Sequence, residues 1–273
     1  MERSEGSPAA GAVWRDVQRI RAVSPLVHNI TNYVVMNTTA NALLAVGASP
    51  VMAHAVEEVE EMVALAGALV LNIGTLSGPW IEAMLRAGRA ARRRGLPVVL
   101  DPVGSGATRF RTATTLRLLD EVGPTIVRGN ASEIASLVSD AGGTKGVDST
   151  RASDQTVDAA RAVAQRWHCV VSLSGATDII VGAGSEWRVR NGHPMMARVT
   201  GMGCTASALT GAFAAVNRDP LPAAAHAMAL MGVAGEMAVE RADGPGTLQL
   251  HFLDALARIE EADLARLLRI EQA

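Results

Sequence analysis

A doubly wound α/β sheet, mostly parallel and ending in an antiparallel edge hairpin, is the fold class that three features of this 273-residue sequence predict. Short apolar runs alternate with helical periodicity four times in succession, as strand-to-helix crossovers in a parallel sheet require. The central runs are continuously apolar rather than alternating, which suits strands covered on both faces. Beyond Leu173 the pattern changes to two strand-like segments separated by Ala183-Gly184-Ser185, which reads as a hairpin at the sheet edge. A chain that is 49% hydrophobic and 19% charged can bury a large core, and a single domain over residues 1–273 is expected, with 1–11 flexible.

Composition removes several function classes. Net charge is −2, so no basic field points to nucleic acid. Lys145 is the sole lysine, and Gly142-Gly143-Thr144-Lys145-Gly146 lacks P-loop spacing, which leaves little room for Schiff-base or P-loop chemistry. Cys169 and Cys204 form no Cys-x-x-Cys pair, which fits a reducing cytoplasm better than a secreted disulfide framework, and the six histidines show no His-Glu-x-x-His spacing to support a zinc site. Met1 to Gly11 has no apolar signal core and no run spans a membrane, so a soluble cytoplasmic protein is expected.

The elements follow in order. Ala12 to Val23 is an amphipathic helix stopped by Ser24-Pro25, because proline disfavours helical geometry in the residue before it. Pro25 to Asn32 is a short strand ending in a polar loop, Met36 to Val46 a helix, and Gly47 to Met52 a turn into a short strand. Val56 to Ala66 is a helix whose Glu57, Glu58, Glu60 and Glu61 make a solvated face. Ala68 to Ile73 and Leu96 to Asp101 are central strands flanking a helix over Trp80 to Arg94, whose late arginines suit the helix dipole. Thr114 to Val122 is helical, Pro124 to Arg128 a strand, and Gly129-Asn130 a turn into a helix carrying Glu133. Ser139 to Ser153 reads as an exposed loop, Asp154 to Trp167 as a helix and His168 to Leu173 as a buried strand ending at Ser174-Gly175. After the hairpin and an Asn191-Gly192-His193 turn come apolar helices over Thr205 to Val216 and Leu221 to Ala242, then Asp243 to Gly246 as a break and a closing amphipathic helical region.

Parallel sheets bind ligands at the carboxyl ends of their strands, where Asn72, Asp101, Arg128 and Asn130 all fall. Asp101 and Glu133 are suited to hold Mg²⁺ directly or through waters, although either residue can equally cap a turn or a helix. Arg128 can clamp a phosphate bidentately. The stretch Val199-Thr200-Gly201-Met202-Gly203-Cys204-Thr205-Ala206-Ser207 turns tightly into a helix whose first-turn amides can hold an anion. Cys204 at such a helix start is placed for a thiol pKa lowered from about 8.5 toward roughly 3.5–7.5, while the alternative is a buried structural cysteine.

Six motifs in order carry a resemblance: Pro25-Leu26-Val27-His28-Asn29-Ile30-Thr31-Asn32, Gly47-Ala48-Ser49-Pro50-Val51-Met52, Leu71-Asn72-Ile73-Gly74-Thr75-Leu76, Asp101-Pro102-Val103-Gly104, Arg128-Gly129-Asn130-Ala131-Ser132-Glu133 and Gly201-Met202-Gly203-Cys204. From Ser24 to Gly246 the chain resembles the hydroxyethylthiazole kinase family of thiamine biosynthesis. That likeness implies a three-layer ribokinase-like fold and ATP-dependent phosphorylation of the hydroxyl of 4-methyl-5-(2-hydroxyethyl)thiazole. It also implies that Asn32, Met52 and Gly201 line the thiazole site, that Arg128 and Ser174 contact ATP, and that Asp101 and Glu133 attend Mg²⁺ and phosphates. Cys204 then stands where most ribokinase-like kinases carry an aspartate base. Ser174 departs mildly from the usual threonine and keeps the hydroxyl. The family likeness further implies a homotrimer with active sites between subunits. Rival readings are a hydroxymethylpyrimidine-type kinase and a non-catalytic thiazole-binding protein; a dinucleotide-binding oxidoreductase lacks its Gly-x-Gly-x-x-Gly after the first strand.

Overall fold

The computed structural model describes residues 8–138 and 149–272. Helix α1 (Pro8–Val23) leads into β1 (Leu26–Ile30), α2 (Met36–Val46), β2 (Ser49–Val51), α3 (Val59–Leu65), β3 (Ala68–Asn72), α4 (Gly78–Arg94) and β4 (Val98–Asp101). The chain continues through α5 (Arg109–Val122), β5 (Ile126–Asn130), α6 (Ala131–Ala135), α7 (Ser149–Trp167) and β6 (Val170–Ser174). The hairpin β7 (Asp178–Gly182) and β8 (Ser185–Val189) is followed by a 3₁₀ turn at Pro194–Arg198, then α8 (Met202–Val216), α9 (Pro220–Val239), α10 (Pro245–Arg258), α11 (Glu261–Leu267) and β9 (Ile270–Gln272).

Among the described residues the strands form one sheet in the order β2-β1-β3-β4-β5-β6-β7-β8-β9. Pairing is parallel from β2 to β6 and antiparallel from β6 onward. The alternation of side chains along each strand sorts the core into two layers. Val27, Val70, Val99, Ile126 and Val170 face α1, α2, α8, α9 and α10, while Leu69, Leu71, Leu100, Val127 and Val171 face α3, α4, α5 and α7. Helices α8 and α9 are rich in small and apolar residues and mostly buried, so they pack deep in the first layer.

Several boundaries differ from the sequence expectation, each for a local reason. Residues 8–11 are helical rather than flexible, and residues 1–7 lie outside the described residues. Helix α5 starts at Arg109, earlier than the apolar pattern shows, because the Thr108 side chain caps it by accepting from the Arg111 amide. The expected loop over Ser139 to Ser153 already contains the start of α7 at Ser149, and residues 139–148 lie outside the described residues. Strand β9 lies where a closing helical region is expected, since Ile270, half-buried, and Glu271 and Gln272, exposed, carry no periodic signal and gain strand form only by pairing with β8.

Candidate active site

One face of the sheet changes character at the carboxyl ends of its strands. Two residues beyond the core residues Val70, Val99, Ile126 and Val170, on the same side of their strands, stand Asn72, Asp101, Arg128 and Ser172. Strand register places Asn72 beside Asp101 and Arg128 beside Ser172. All four are buried. A polar row thus crosses the sheet under the start of α8, where a purely apolar layer would otherwise continue.

The direction in which strands are added to the sheet reverses between β1 and β3, since β2 lies on one side of β1 and all later strands on the other. Across that crevice Asn32 Nδ2 donates to Asn72 Oδ1 at 2.9 Å and lies 3.5 Å from Cys204 Sγ. Asn72 Oδ1 also accepts from the Gly74 amide at 2.9 Å, and its Nδ2 donates to Asp101 Oδ2 at 2.7 Å. Ser207 Oγ donates to the same oxygen at 2.8 Å. The other oxygen, Asp101 Oδ1, is buried without a partner in the protein.

Burial pushes the Asp101 carboxyl up to about 6, against the opposing pull of Arg128 and of the Ser207 and Asn72 donors. Arg128 is itself buried, with Nε unpartnered, and its guanidinium lies against Gly203: a Cβ there would stand 2.8 Å from Nη1. Only a residue without a side chain allows that approach. Gly201, at φ +81°, is the N-cap of α8 and supplies no side-chain cap. The amides of Met202, Gly203 and Cys204 precede the first intrahelical bond, which Thr205 N makes to Gly201 O at 2.8 Å.

Cys204 lies in that first turn, but its thiol is not the lowered one expected from a helix start. Burial, with the nearby Asp101 charge, pushes it up to about 11, outweighing the Asn72 and Asn32 amides and Arg128. At neutral pH the group is a protonated thiol.

Glu133 also takes a specific local part. Its Oε2 accepts from the Asn130 amide and its Oε1 from the Gly104 amide, both at 2.9 Å, while Asn130 Oδ1 accepts from the Glu133 amide at 3.0 Å. This capping box ties the start of α6 to the loop after β4. Ser174 ends β6 beside Asn130, and its hydroxyl reaches the Gly129 carbonyl at 3.4 Å. Met52 directly follows β2, one strand beyond Asn32, at the far end of the same rim. The sheet therefore brings Asn32, Asp101, Arg128 and Cys204 together, with Ser174 and Met52 on either flank.

Three further residues at this rim carry no sequence signal. Ser207 is one small residue in an alanine-rich helix. Arg111 reads as a surface arginine, yet it donates to the Ile73, Val103 and Gly74 carbonyls at 3.0, 2.6 and 2.8 Å, lashing together the loops after β3 and β4. Asp178 accepts from the Gly175 amide at 3.0 Å, and burial pushes its carboxyl up to about 6. A cavity of about 1090 Å³ opens at the opposite end of β5 and β6, lined by Thr125, His168 and Val170, and includes none of these side chains. Convergent buried polar groups, not volume, locate the site.

The donor set suits a magnesium–phosphate ligand. Among the described residues no three His, Cys, Asp or Glu side chains form a metal cage. Mg²⁺ commonly needs only one or two protein carboxylates beside phosphate and water oxygens, and the orphaned Asp101 Oδ1 offers one.

Comparisons with known proteins show the family and the fold. Residues 17–262 match the model of the hydroxyethylthiazole kinase family. A protein of Syntrophus aciditrophicus named hydroxyethylthiazole kinase is 61% identical over 94% of this chain and 96% of its own length. The solved structure of a hydroxyethylthiazole kinase protein from Pyrococcus horikoshii superposes with a TM-score of 0.89 at 42% identity, covering 96% of this chain and 99% of that one. A pyridoxal kinase from Staphylococcus aureus, at 16% identity and a TM-score of 0.64, shares the fold. With a ribokinase-like sheet and a match over nearly its whole length, the chain belongs to the hydroxyethylthiazole kinase family.

Proposed function

We propose that the protein transfers the γ-phosphoryl group of ATP to the primary alcohol of 4-methyl-5-(2-hydroxyethyl)thiazole, in the supply of thiamine. The observation that carries this reading is the meeting of Asp101, Arg128, Asn32 and Cys204 under the uncapped start of α8, in a chain of this family. Asn32, Met52 and Gly201 line the thiazole site in this reading, and Arg128 and Ser174 hold ATP. Asp101 holds Mg²⁺ through Oδ1. Glu133, whose two oxygens each already accept an amide, joins through water.

When bound, Mg²⁺ neutralises charge on the phosphate oxygens. The first-turn amides of α8 and the Arg128 guanidinium stabilise the charge that spreads over the transferring group. Cys204, as a thiol, orients the alcohol rather than ionising it ahead of attack. An alcohol is a far weaker acid than a thiol, so its proton leaves late, in a loose transition state, and passes to an oxygen of the transferring phosphoryl group.

The reading extends to a single-domain, cytoplasmic chain that assembles as a homotrimer. Among the described residues no helix is long and apolar enough to cross a membrane. Tyr33 and Val34, directly after Asn32, are 68% and 65% exposed, as residues covered by a neighbouring subunit at the site would be in an isolated chain. Light scattering on the purified protein tests the assembly.

The activity is tested by ADP release with ATP and Mg²⁺, with and without the thiazole, beside a hydroxymethylpyrimidine control. Thiazole-dependent ADP is expected. Turnover of the pyrimidine alone would move the chain to another branch of the superfamily, and thiazole binding without turnover would make it a binding protein.

A further inference from the structure

We propose that Ser207 is a positioning residue for the phosphoryl transfer, fixing the Asp101 carboxylate so that Oδ1 alone faces the metal and phosphates; the proposal rests on the reading of Asp101 given above. A carboxylate on a strand end can rotate about its last bond and so turn its oxygens away from a metal. Here one oxygen is held by two donors, which fixes the plane of the group. Oδ2 accepts from Asn72 on β3 at 2.7 Å and from Ser207 on α8 at 2.8 Å, while Oδ1 accepts from nothing in the protein.

Packing does not explain a serine at this place. Ser207 is fully buried, and the neighbouring buried positions of α8 are Ala206, Ala208 and Leu209. A hydroxyl in mid-helix commonly turns back to the carbonyl four residues earlier. Thr210, three residues on, does so, donating to Ala206 O at 2.8 Å. Ser207 has the equivalent carbonyl, Gly203 O, at 3.4 Å but the Asp101 oxygen much nearer. Its one proton goes to the shorter, charge-assisted bond.

The consequence is a mechanical link between the two halves of the site. Gly203 and Cys204 lie four and three residues before Ser207, so they sit one helical turn above it. Through Ser207 the amides that face the transferring phosphoryl and the carboxylate that faces the metal are held by one rigid helix. Groups that support a metal ligand in this way typically change metal affinity by about 10–100-fold when removed.

The experiment compares Ser207→Ala, the nearly isosteric and weakly donating Ser207→Cys, and Thr210→Ala as a control on the same helix. Mn²⁺ binding in the presence of ADP is read by electron paramagnetic resonance, and kcat and KM with the thiazole are measured alongside. Mn²⁺ affinity is expected to fall about tenfold or more in both Ser207 variants, with a fall in kcat and a thiazole KM within about twofold. Thr210→Ala is expected to match the parent. Mn²⁺ affinity within about twofold of the parent in Ser207→Cys would overturn the proposal, as would an equal loss of thiazole and metal binding, which marks general disruption. The Cys variant decides the matter if the Ala variant does not fold. A parent without thiazole-dependent ADP release would defeat the activity reading while leaving the Mn²⁺ result to judge Ser207.

Discussion

Helices α6 and α8 both begin at a strand-to-helix turn beside the same crevice, and they end up with opposite chemistry. At α6 the chain satisfies itself: Asn130 caps the Glu133 amide, and the Glu133 carboxylate closes on the Asn130 and Gly104 amides. At α8 the N-cap is Gly201, which has no side chain to spend on the first-turn amides. A capped helix start is finished, and its polar side chains serve the fold. An uncapped one, with a buried arginine beside it, is available to a ligand.

Substitutions at the two starts test this contrast, and the largest effect is expected at Gly203. Gly203→Ala puts a methyl 2.8 Å from Arg128 Nη1, so the end of the arginine side chain is displaced from its place against the first turn of α8. A loss of about 10²–10³-fold in kcat/KM is expected, the usual size for removing a charge-stabilising donor. An alanine variant with parental kinetics would show that Arg128 has no part there. Next comes Cys204→Ala, for which kcat should fall about 10²-fold with little change in ATP affinity, as for a group that positions the reacting alcohol. Equal losses in both, or none, would remove Cys204 from the chemistry.

At the other helix the balance should reverse. Glu133→Ala leaves two amides unpartnered and frees the Gly104 loop, so a stability loss of about 1–3 kcal/mol is expected by denaturant titration. Its effect on kcat should be smaller than that of Cys204→Ala. Unchanged stability with a collapse of kcat would place Glu133 at the metal directly and break the comparison.

The smallest effect concerns pH. The folded Asp101 carboxyl is raised from 3.8 to about 6, so the native state holds this proton more tightly than the unfolded chain. Stability from this group is therefore lost as pH rises through that window, by about 2–3 kcal/mol at most, and stays lost above it. Without added metal, Asp101→Asn should raise the thermal midpoint at pH 8. Asparagine can still accept from Asn72 and Ser207. A midpoint that falls instead would mean the carboxylate is already compensated by the protein alone.

Much of the fold was legible because its signals are local. Continuous apolar runs such as Ala68 to Asn72, and helices closed by a left-handed glycine such as α2 at Gly47 and α4 at Gly95, read directly from sequence. So did the polar residues at strand ends, since Asn72 and Asp101 stand where an apolar run stops. Arg111 and Ser207 were not legible. Each has an ordinary place on its own helix, and its partners lie 37 and 38 or 106 residues away in the chain. Strand β9 failed for the same reason, its only support being a neighbour far earlier in sequence.

The thiol of Cys204 draws the line most clearly. Sequence determined that a cysteine follows Gly201-Met202-Gly203 at a helix start, and with it the order of strands, helices and glycine turns. Those are consequences of side-chain size, backbone freedom and periodicity over a few residues. Whether that thiol ionises was decided only by what the sheet places around it: burial and the Asp101 charge on one side, two asparagine amides and Arg128 on the other. Electrostatic free energy depends on distance and solvent access in space, and neither is a property of neighbouring positions along the chain.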